Sequence, residues 1–307
     1  MLNAQAYVRQ AVESVLGAGP SDVNLEIIVV DDGSTDDSAK IVKSIGDNRV
    51  RLVSGPKRGV AAAFNAALEM ASGEFLARCD ADDLFVPGRL AWQLEWLRSH
   101  PDFAAIGAGF ATMTPNGDFI RELQCGDQAH EITDELLDGH TRTSLCTWLI
   151  RTDLVRQVGG CREFFRSAED IDLQLRLAEA GRVWFAPRQA YLYRLHDASE
   201  THSRNSQVRR FYDRTARQLQ QQRRSGLLDD LQQGNPPALP EVEGQRFQAN
   251  GSRRHIQGML LGAAWDQHAA GRRGKALRTA LRACLTLPSN LKAWKSLGAL
   301  AIRGQRG

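Results

Sequence analysis

The strongest constraint on this chain lies between residues 25 and 83, where short apolar runs alternate with stretches of helical spacing and two of the runs stop at aspartates. Residues 25–30 form a β-branched run too short for a helix, ending at Asp31, Asp32 and Gly33 as a buried parallel strand would. Residues 50–54 and 74–79 repeat the pattern, the last running into Asp80. Between the runs, Ser34, Thr35 and Asp36 offer N-caps for a helix to about Ile45, and residues 59–71 read as an alanine-rich helix. Upstream, Tyr7, Val8, Ala11, Val12 and Val15 keep helical spacing until Gly17, Gly19 and Pro20 break it. This order predicts an α/β fold with a mostly parallel sheet flanked by helices. Such sheets bind ligands outside the carboxyl ends of their strands, where both Asp clusters stand.

Further along, residues 103–111 and 144–150 read as strands, 170–180 as a helix and 183–185 as a short strand. After His202 the composition turns Arg- and Gln-rich. The pattern divides the chain into an α/β domain over residues 1–202, a long helix over 203–232, a Gly-Asn-Pro-Pro linker within 233–254 and a helical hairpin or triplet over 255–307. Charge divides with it: residues 1–202 carry 20 Lys/Arg and 30 Asp/Glu, residues 203–307 carry 19 and 6, so the parts are −10 and +13. A basic tail on an acidic body points to an anionic membrane surface as its partner. Nucleic acid is not expected, because no binding motif is present and aromatics are not interleaved with the basic residues of the tail's first half. Arg9 and Glu13 interrupt any signal-peptide core, and no apolar run approaches the roughly eighteen residues of a spanning helix. Five scattered cysteines without a Cys-x-x-Cys pair suggest neither a disulfide framework nor a zinc site, which fits the cytoplasm.

The chemistry is carried by carboxylates. If the chain stays extended through Asp80-Ala81-Asp82-Asp83, Asp80 and Asp82 point one way and Asp83 the other. Carboxylates about 4 Å apart repel by about 1 to 4 kcal/mol, so a cation belongs with them. Mg²⁺ or Mn²⁺, held by one or two carboxylates and substrate phosphates, is the usual arrangement in nucleotide chemistry. A calcium EF-hand starting at Asp80 fails, because its fifth, sixth and twelfth positions are Leu84, Phe85 and Ala91. The turn Asp31-Asp32-Gly33-Ser34 lies where a base or ribose would be recognised. Glu169-Asp170 opens a helix, where the dipole stabilises carboxylates, and either is a candidate proton acceptor. His196, as a neutral imidazole, would complete a metal site begun by Asp82, and Arg194 would hold a diphosphate oxygen.

Taken in order, EIIVVDDGSTD at 26–36, Arg58-Gly59 through Asn65, CDADD at 79–83 with Pro87 and Arg89-Leu90, Val158-Gly159-Gly160, AEDIDLQLRLAEAG from Ala168, and YRLHDASET resemble the motifs of family 2 glycosyltransferases with the GT-A fold, over residues 3–202. The resemblance implies an inverting transfer of sugar from a nucleotide-diphosphate donor, UDP-sugar favoured, to a glycan or lipid-linked acceptor in cell-surface polysaccharide biosynthesis. It implies that Asp31 meets the base, with Asp32, Gly33, Ser34 and Arg58 on the donor side. Asp80 meets the ribose and Asp82 the metal. Asp170 takes the acceptor proton, Glu169 orients the acceptor, and His196 meets metal or diphosphate.

In one respect the sequence departs from the family: Met1-Leu2-Asn3 stands about where the family's first strand ends. That strand lies inside the sheet, so its loss would leave ladder hydrogen bonds open on two neighbours. The favoured expectation is a domain truncated at its N-terminus, with the true start upstream of Met1; the alternative function is a catalytically inactive nucleotide-sugar-binding module.

Overall fold

The computed structural model describes residues 1–20, 23–123, 125–196, 206–240 and 251–302. The chain divides into two compact units, one of Met1–Phe110, Leu123–Tyr193 and Gln207–Pro240, the other of Ala111–Glu122, Arg194–Ser206 and Glu241–Gly307.

In the first unit, β1 (Ile27–Asp31) and β2 (Val50–Ser54) form a parallel pair, with Ile27 opposite Val50 and Asp31 opposite Ser54. Helices α1 (Val8–Leu16) and α2 (Ser38–Lys43) cover this pair through Val8, Val12 and Val42 against Ile27, Val29 and Leu52. Helix α3 (Val60–Met70) follows β2. Met1 lies alongside β1, its amino group donating to the Val30 carbonyl at 2.5 Å and its carbonyl accepting from the Asp32 N–H at 2.9 Å.

A second sheet has the order β3 (Phe75–Leu76), β8 (Leu149–Arg151), β5 (Phe103–Met113), β9 (Arg182–Arg194) and β4 (Leu84–Phe85), with β7 (His130–Glu131) on β9. Among the described residues no ladder joins it to β1 and β2. The pairs β3–β8, β5–β8, β7–β9 and β4–β9 are antiparallel, whereas β1 and β2 show the parallel arrangement expected from the alternation. The alternation ends at Asp80; strands that arrive later through loops and short helices are free to run back. Helices α4 (Arg89–Ser99), α5 (Thr133–Leu137), α6 (Thr152–Gln157) and α7 (Glu169–Ala180) complete the layers. The core packs Trp148, Ile150, Leu173, Leu177, Val183 and Phe185 together.

Two polar devices shape this core. Arg89, fully buried, donates to the carbonyls of Cys146 (2.6 Å) and Trp148 (3.0 Å) and stacks over Phe85, fixing the 3₁₀ turn Leu145–Thr147. Asn65 grips Cys161 with two backbone hydrogen bonds of 2.8 Å, locking the end of α6. There Gly159 and Gly160, at φ +80° and +64°, return N–H groups to Arg156 and Val155, the glycine cap of a helix C-terminus.

Several expected elements change extent. Residues 77–79 carry no ladder, so the third strand shortens to Phe75–Leu76. The short strand at 183–185 extends to Arg194 despite Pro187. Helix α8 (Ser206–Arg224) stops short of Leu231. It packs Tyr212, Ala216 and Leu219 onto Phe165 and Leu175, and the segment after it brings Asp229 into contact with Arg162 (2.6 Å).

In the second unit, β6 (Phe119–Glu122) pairs antiparallel with the end of β5. Helices α9 (Gly251–Ala269), α10 (Arg273–Thr286) and α11 (Leu291–Ile302) share a small core of Ala264, Ala280 and Leu300. Ion pairs Arg121–Asp266 (3.2 Å) and Arg282–Asp118 (2.6 Å) tie the β5–β6 hairpin to them. No helix of the described residues is long and apolar enough to cross a membrane.

The two adjacent glycines give a prediction. A Cβ on Gly159 meets nothing within 4 Å, whereas one on Gly160 would lie 2.4 Å from the clamped Asn65 Oδ1. Gly159→Ala therefore costs only the left-handed backbone, about 1 kcal/mol, and Gly160→Ala about 2–3 kcal/mol. Urea unfolding of both variants measures the difference.

Candidate active site

The site is built at the strand ends of the first unit. At the end of β1 the Asp31 carboxylate accepts from the Ser34 N–H at 2.9 Å. Burial would raise its pKa, but hydrogen bonds from Ser34 and Gly33 outweigh that and hold it below the ordinary value. Asp31 is thus an ionised acceptor at neutral pH. Asp32 turns away and accepts from the backbone N–H groups of Lys57 (2.7 Å) and Gly59 (2.8 Å). That moulds the loop between β2 and α3, which carries Arg58. Arg58 is exposed and pairs with Glu163 at 3.1 Å. Gly33 takes φ +105°, with Lys57 packed close by. The Ser34 hydroxyl accepts the Asn3 N–H at 3.0 Å, and Asp36, not Ser34 or Thr35, receives the Ser38 N–H that opens α2.

At the end of β3 the chain does not stay extended. The Asp83 N–H donates to the Asp80 carbonyl at 3.1 Å and closes a turn over Ala81 and Asp82, so the alternation of side chains assumed for 80–83 does not apply. Short residues, Asp among them, favour such a turn over a strand. Asp83 is buried, while Asp80 and Asp82 are half-buried. Asp80 is held on three sides: Arg78 Nε donates to it at 2.8 Å, the Cys146 thiol lies 3.6 Å from its other oxygen, and its N–H donates to the Tyr191 hydroxyl at 3.0 Å.

Helix α7 supplies the remaining carboxylates. Glu169, 6% exposed, accepts from Arg78 Nη1 at 3.1 Å. Asp170 next to it has its pKa pushed up to about 6, by burial first and then by the charge of Glu169, with Arg78 opposing. A carboxylate of that strength is mostly ionised at pH 7 and still a competent base. Spacing alone missed Arg78, which links Asp80 to Glu169; the only signal was a charged residue inside an apolar run.

In the second unit, Arg194 is fully buried with Nη1 on the Pro115 carbonyl at 2.8 Å, where it secures the β5–β6 turn. His196 is half-buried just past β9, and the Asp197–Thr201 part of its motif lies outside the described residues.

Among the described residues no three His, Cys, Asp or Glu side chains converge into a closed metal cage. Mg²⁺ or Mn²⁺ in nucleotide chemistry asks for less, one or two oxygen ligands from protein and the rest from phosphate and water. A half-buried carboxylate in the turn between β3 and β4, as Asp82 is, fits that requirement.

Comparisons with known proteins identify the family. The sequence profile of glycosyl transferase family 2 matches residues 1–159. EpsE of Bacillus subtilis (strain 168), which carries a glycosyltransferase name, is 30% identical over 210 residues, 66% of this chain and 73% of that protein. The O-antigen biosynthesis glycosyltransferase WbnJ of Escherichia coli is 30% identical over 63% of this chain and 76% of its own length. The chondroitin synthase of Pasteurella multocida (strain Pm70) is 28% identical over 199 residues, but the match spans only 20% of that larger protein. Among solved structures, S. aureus TarS 1-349 in complex with UDP-GlcNAc aligns with a TM-score of 0.59 at 15% identity, covering 99% of this chain and 90% of TarS 1-349. The chain belongs to glycosyl transferase family 2 and has the GT-A fold. It is a glycosyltransferase.

A pH dependence follows from Asp170. With Asp170 as the proton acceptor only its ionised form would be active, so activity is expected to hold above about pH 6 and to fall as the pH drops through that value. A pH–rate profile of kcat checks the limb, and Asp170→Asn is expected to lower kcat by roughly 10²–10⁴ at pH 7.5 without unfolding the chain.

Proposed function

We propose that the enzyme carries out an inverting transfer of sugar from a UDP-sugar to a glycan or lipid-linked acceptor in cell-surface polysaccharide biosynthesis. The observation that carries this is the cluster Asp80–Arg78–Glu169–Asp170, which joins a nucleotide-side carboxylate at one strand end to a weak carboxylic acid at a helix N-terminus. The pathway is supported by the names of WbnJ and the chondroitin synthase, and the donor by the UDP and UDP-GlcNAc complexes of TarS.

In this proposal Asp31, ionised and anchored by Ser34, accepts a hydrogen bond from an N–H of the base, and Asp80 accepts from the ribose hydroxyls. Asp32 and Gly33 shape the loop that brings Arg58 to the donor side. Glu169 orients the acceptor while Asp170 takes the proton of its hydroxyl, on the sugar face opposite the leaving diphosphate. Asp82 would hold Mg²⁺ or Mn²⁺, with His196 assigned to the same role by residue type. The ion supplies charge neutralisation for the departing nucleoside diphosphate.

Titration calorimetry of UDP with and without Mn²⁺, beside Asp82→Asn, tests the donor site. Binding that requires Mn²⁺ and weakens at least about tenfold in the variant is expected. Metal-independent binding, or an unaffected variant, overturns the assignment. Donor binding without any turnover over a panel of acceptors returns the alternative of an inactive nucleotide-sugar-binding module.

We place the protein in the cytoplasm, with its basic C-terminal region against an anionic membrane. Support comes from the +13 charge of residues 203–307 and from Leu285, Leu291 and Trp294, exposed beside Lys292 and Lys295. Sedimentation with vesicles at low salt is expected to show partition onto anionic but not neutral lipid; equal partition removes the proposal.

A further inference from the structure

Arg78 has no assigned role, yet its side chain touches both halves of the proposed site. Its guanidinium is 13% exposed and splits between two carboxylates from distant parts of the chain: Nε on Asp80 at 2.8 Å and Nη1 on Glu169 at 3.1 Å. The ammonium of a lysine is a point charge on a flexible stem and fixes no direction between two carboxylates, whereas the planar fork of an arginine holds both in a set geometry. Asp80 is already pinned through Tyr191 and Cys146, so Arg78 transmits a fixed reference point to the first turn of α7.

We propose that Arg78 is a positioning residue that sets the placement of Glu169 and Asp170 relative to the nucleotide bound at Asp80. This rests on the proposed function above. The role is geometric first: a displacement of about 1 Å at a reacting group costs roughly 10² in rate. It is electrostatic second. The charged groups facing Asp170 are Glu169, Arg78 and Asp80, with the Cys146 thiol sensing the same field, and Arg78 is the one cation among them. Burial alone would lower the Arg78 pKa, but Asp80, Cys146 and Glu169 together raise it well above the ordinary value, so the cation persists at every working pH.

The test compares wild type, Arg78→Lys, Arg78→Met and Glu169→Gln in the full chain, each checked for folding by circular dichroism. For Arg78→Met, kcat at pH 7.5 is expected to fall about 10²-fold and the acidic limb of the kcat profile to rise by about one pH unit, with UDP affinity within about threefold of wild type. Arg78→Lys is expected to return the limb towards its wild-type position and leave most of the kcat loss. The double variant Arg78→Met/Glu169→Gln should be no worse than the poorer single variant, because both act on one unit. A folded Arg78→Met with wild-type kcat and limb overturns the proposal, as does a loss confined to UDP affinity, which would make Arg78 a support for Asp80 only. A readout independent of turnover is the carboxyl-carbon NMR titration of Asp170, identified with Asp170→Asn: its midpoint is expected to rise in Arg78→Met, and an unmoved midpoint overturns the proposal. If wild type transfers no sugar, the proposed function fails, and the NMR midpoint still decides for or against Arg78.

Discussion

The site depends on a carboxylate that solvent does not reach. Asp172, fully buried in α7, lies between Arg162 and Arg176, and Arg176 also donates to the Val158 and Gly160 carbonyls at 2.6 and 2.7 Å. Removing one partner of a buried ion pair leaves the other charge without compensation, a loss of about 3–5 kcal/mol. The cluster therefore has one arrangement of low energy, and that arrangement fixes where α7 begins. Glu169 and Asp170 share the first turn of α7 with Asp172, so the rigidity of the buried cluster becomes the rigidity of the proposed base.

The α/β class and the places of the Asp clusters were legible in the sequence because strand ends and turns depend on local chemistry. Ile27–Asp31 and Val50–Ser54 declare themselves by β-branching, and Asp31-Asp32-Gly33 by its abruptness. Long-range pairing was not legible. Arg182–Arg194 looks like three strand residues followed by a polar loop, because Pro187, Arg188 and Gln189 break the alternation, and only its sheet neighbours make it a strand of thirteen. The turn closed by Asp83 and Asp80 was missed although its short residues favour one, because the apolar run at 74–79 was read as continuing extended through the aspartates.

Within the motifs, sequence alone did not separate side chains that shape the site from those that face it. Asp31 and Asp32 are neighbours in one motif, yet one is anchored at a strand end while the other gives both oxygens to the N–H groups of Lys57 and Gly59. Asn65 and Gly160 belong to different motifs but form one clamp. Arg89 turns its guanidinium to carbonyls in the core. Arg78 shows the converse, a residue outside the acidic pattern that geometry places at its centre.

Asp229 carries a consequence for how this enzyme can be divided. It lies beyond α8, it is fully buried, and it accepts from both Arg162 and Arg223, while Arg223 reaches back to Glu179 at the far end of α7. The helix that bears the proposed base is therefore gripped at two points by a segment that the sequence places after the α/β domain. A graft or chimera joined at residue 202 would carry every motif and still leave Arg162 without one of its two buried anions. The segment after α8 thus belongs to the catalytic body, and the unit of exchange runs through Pro240.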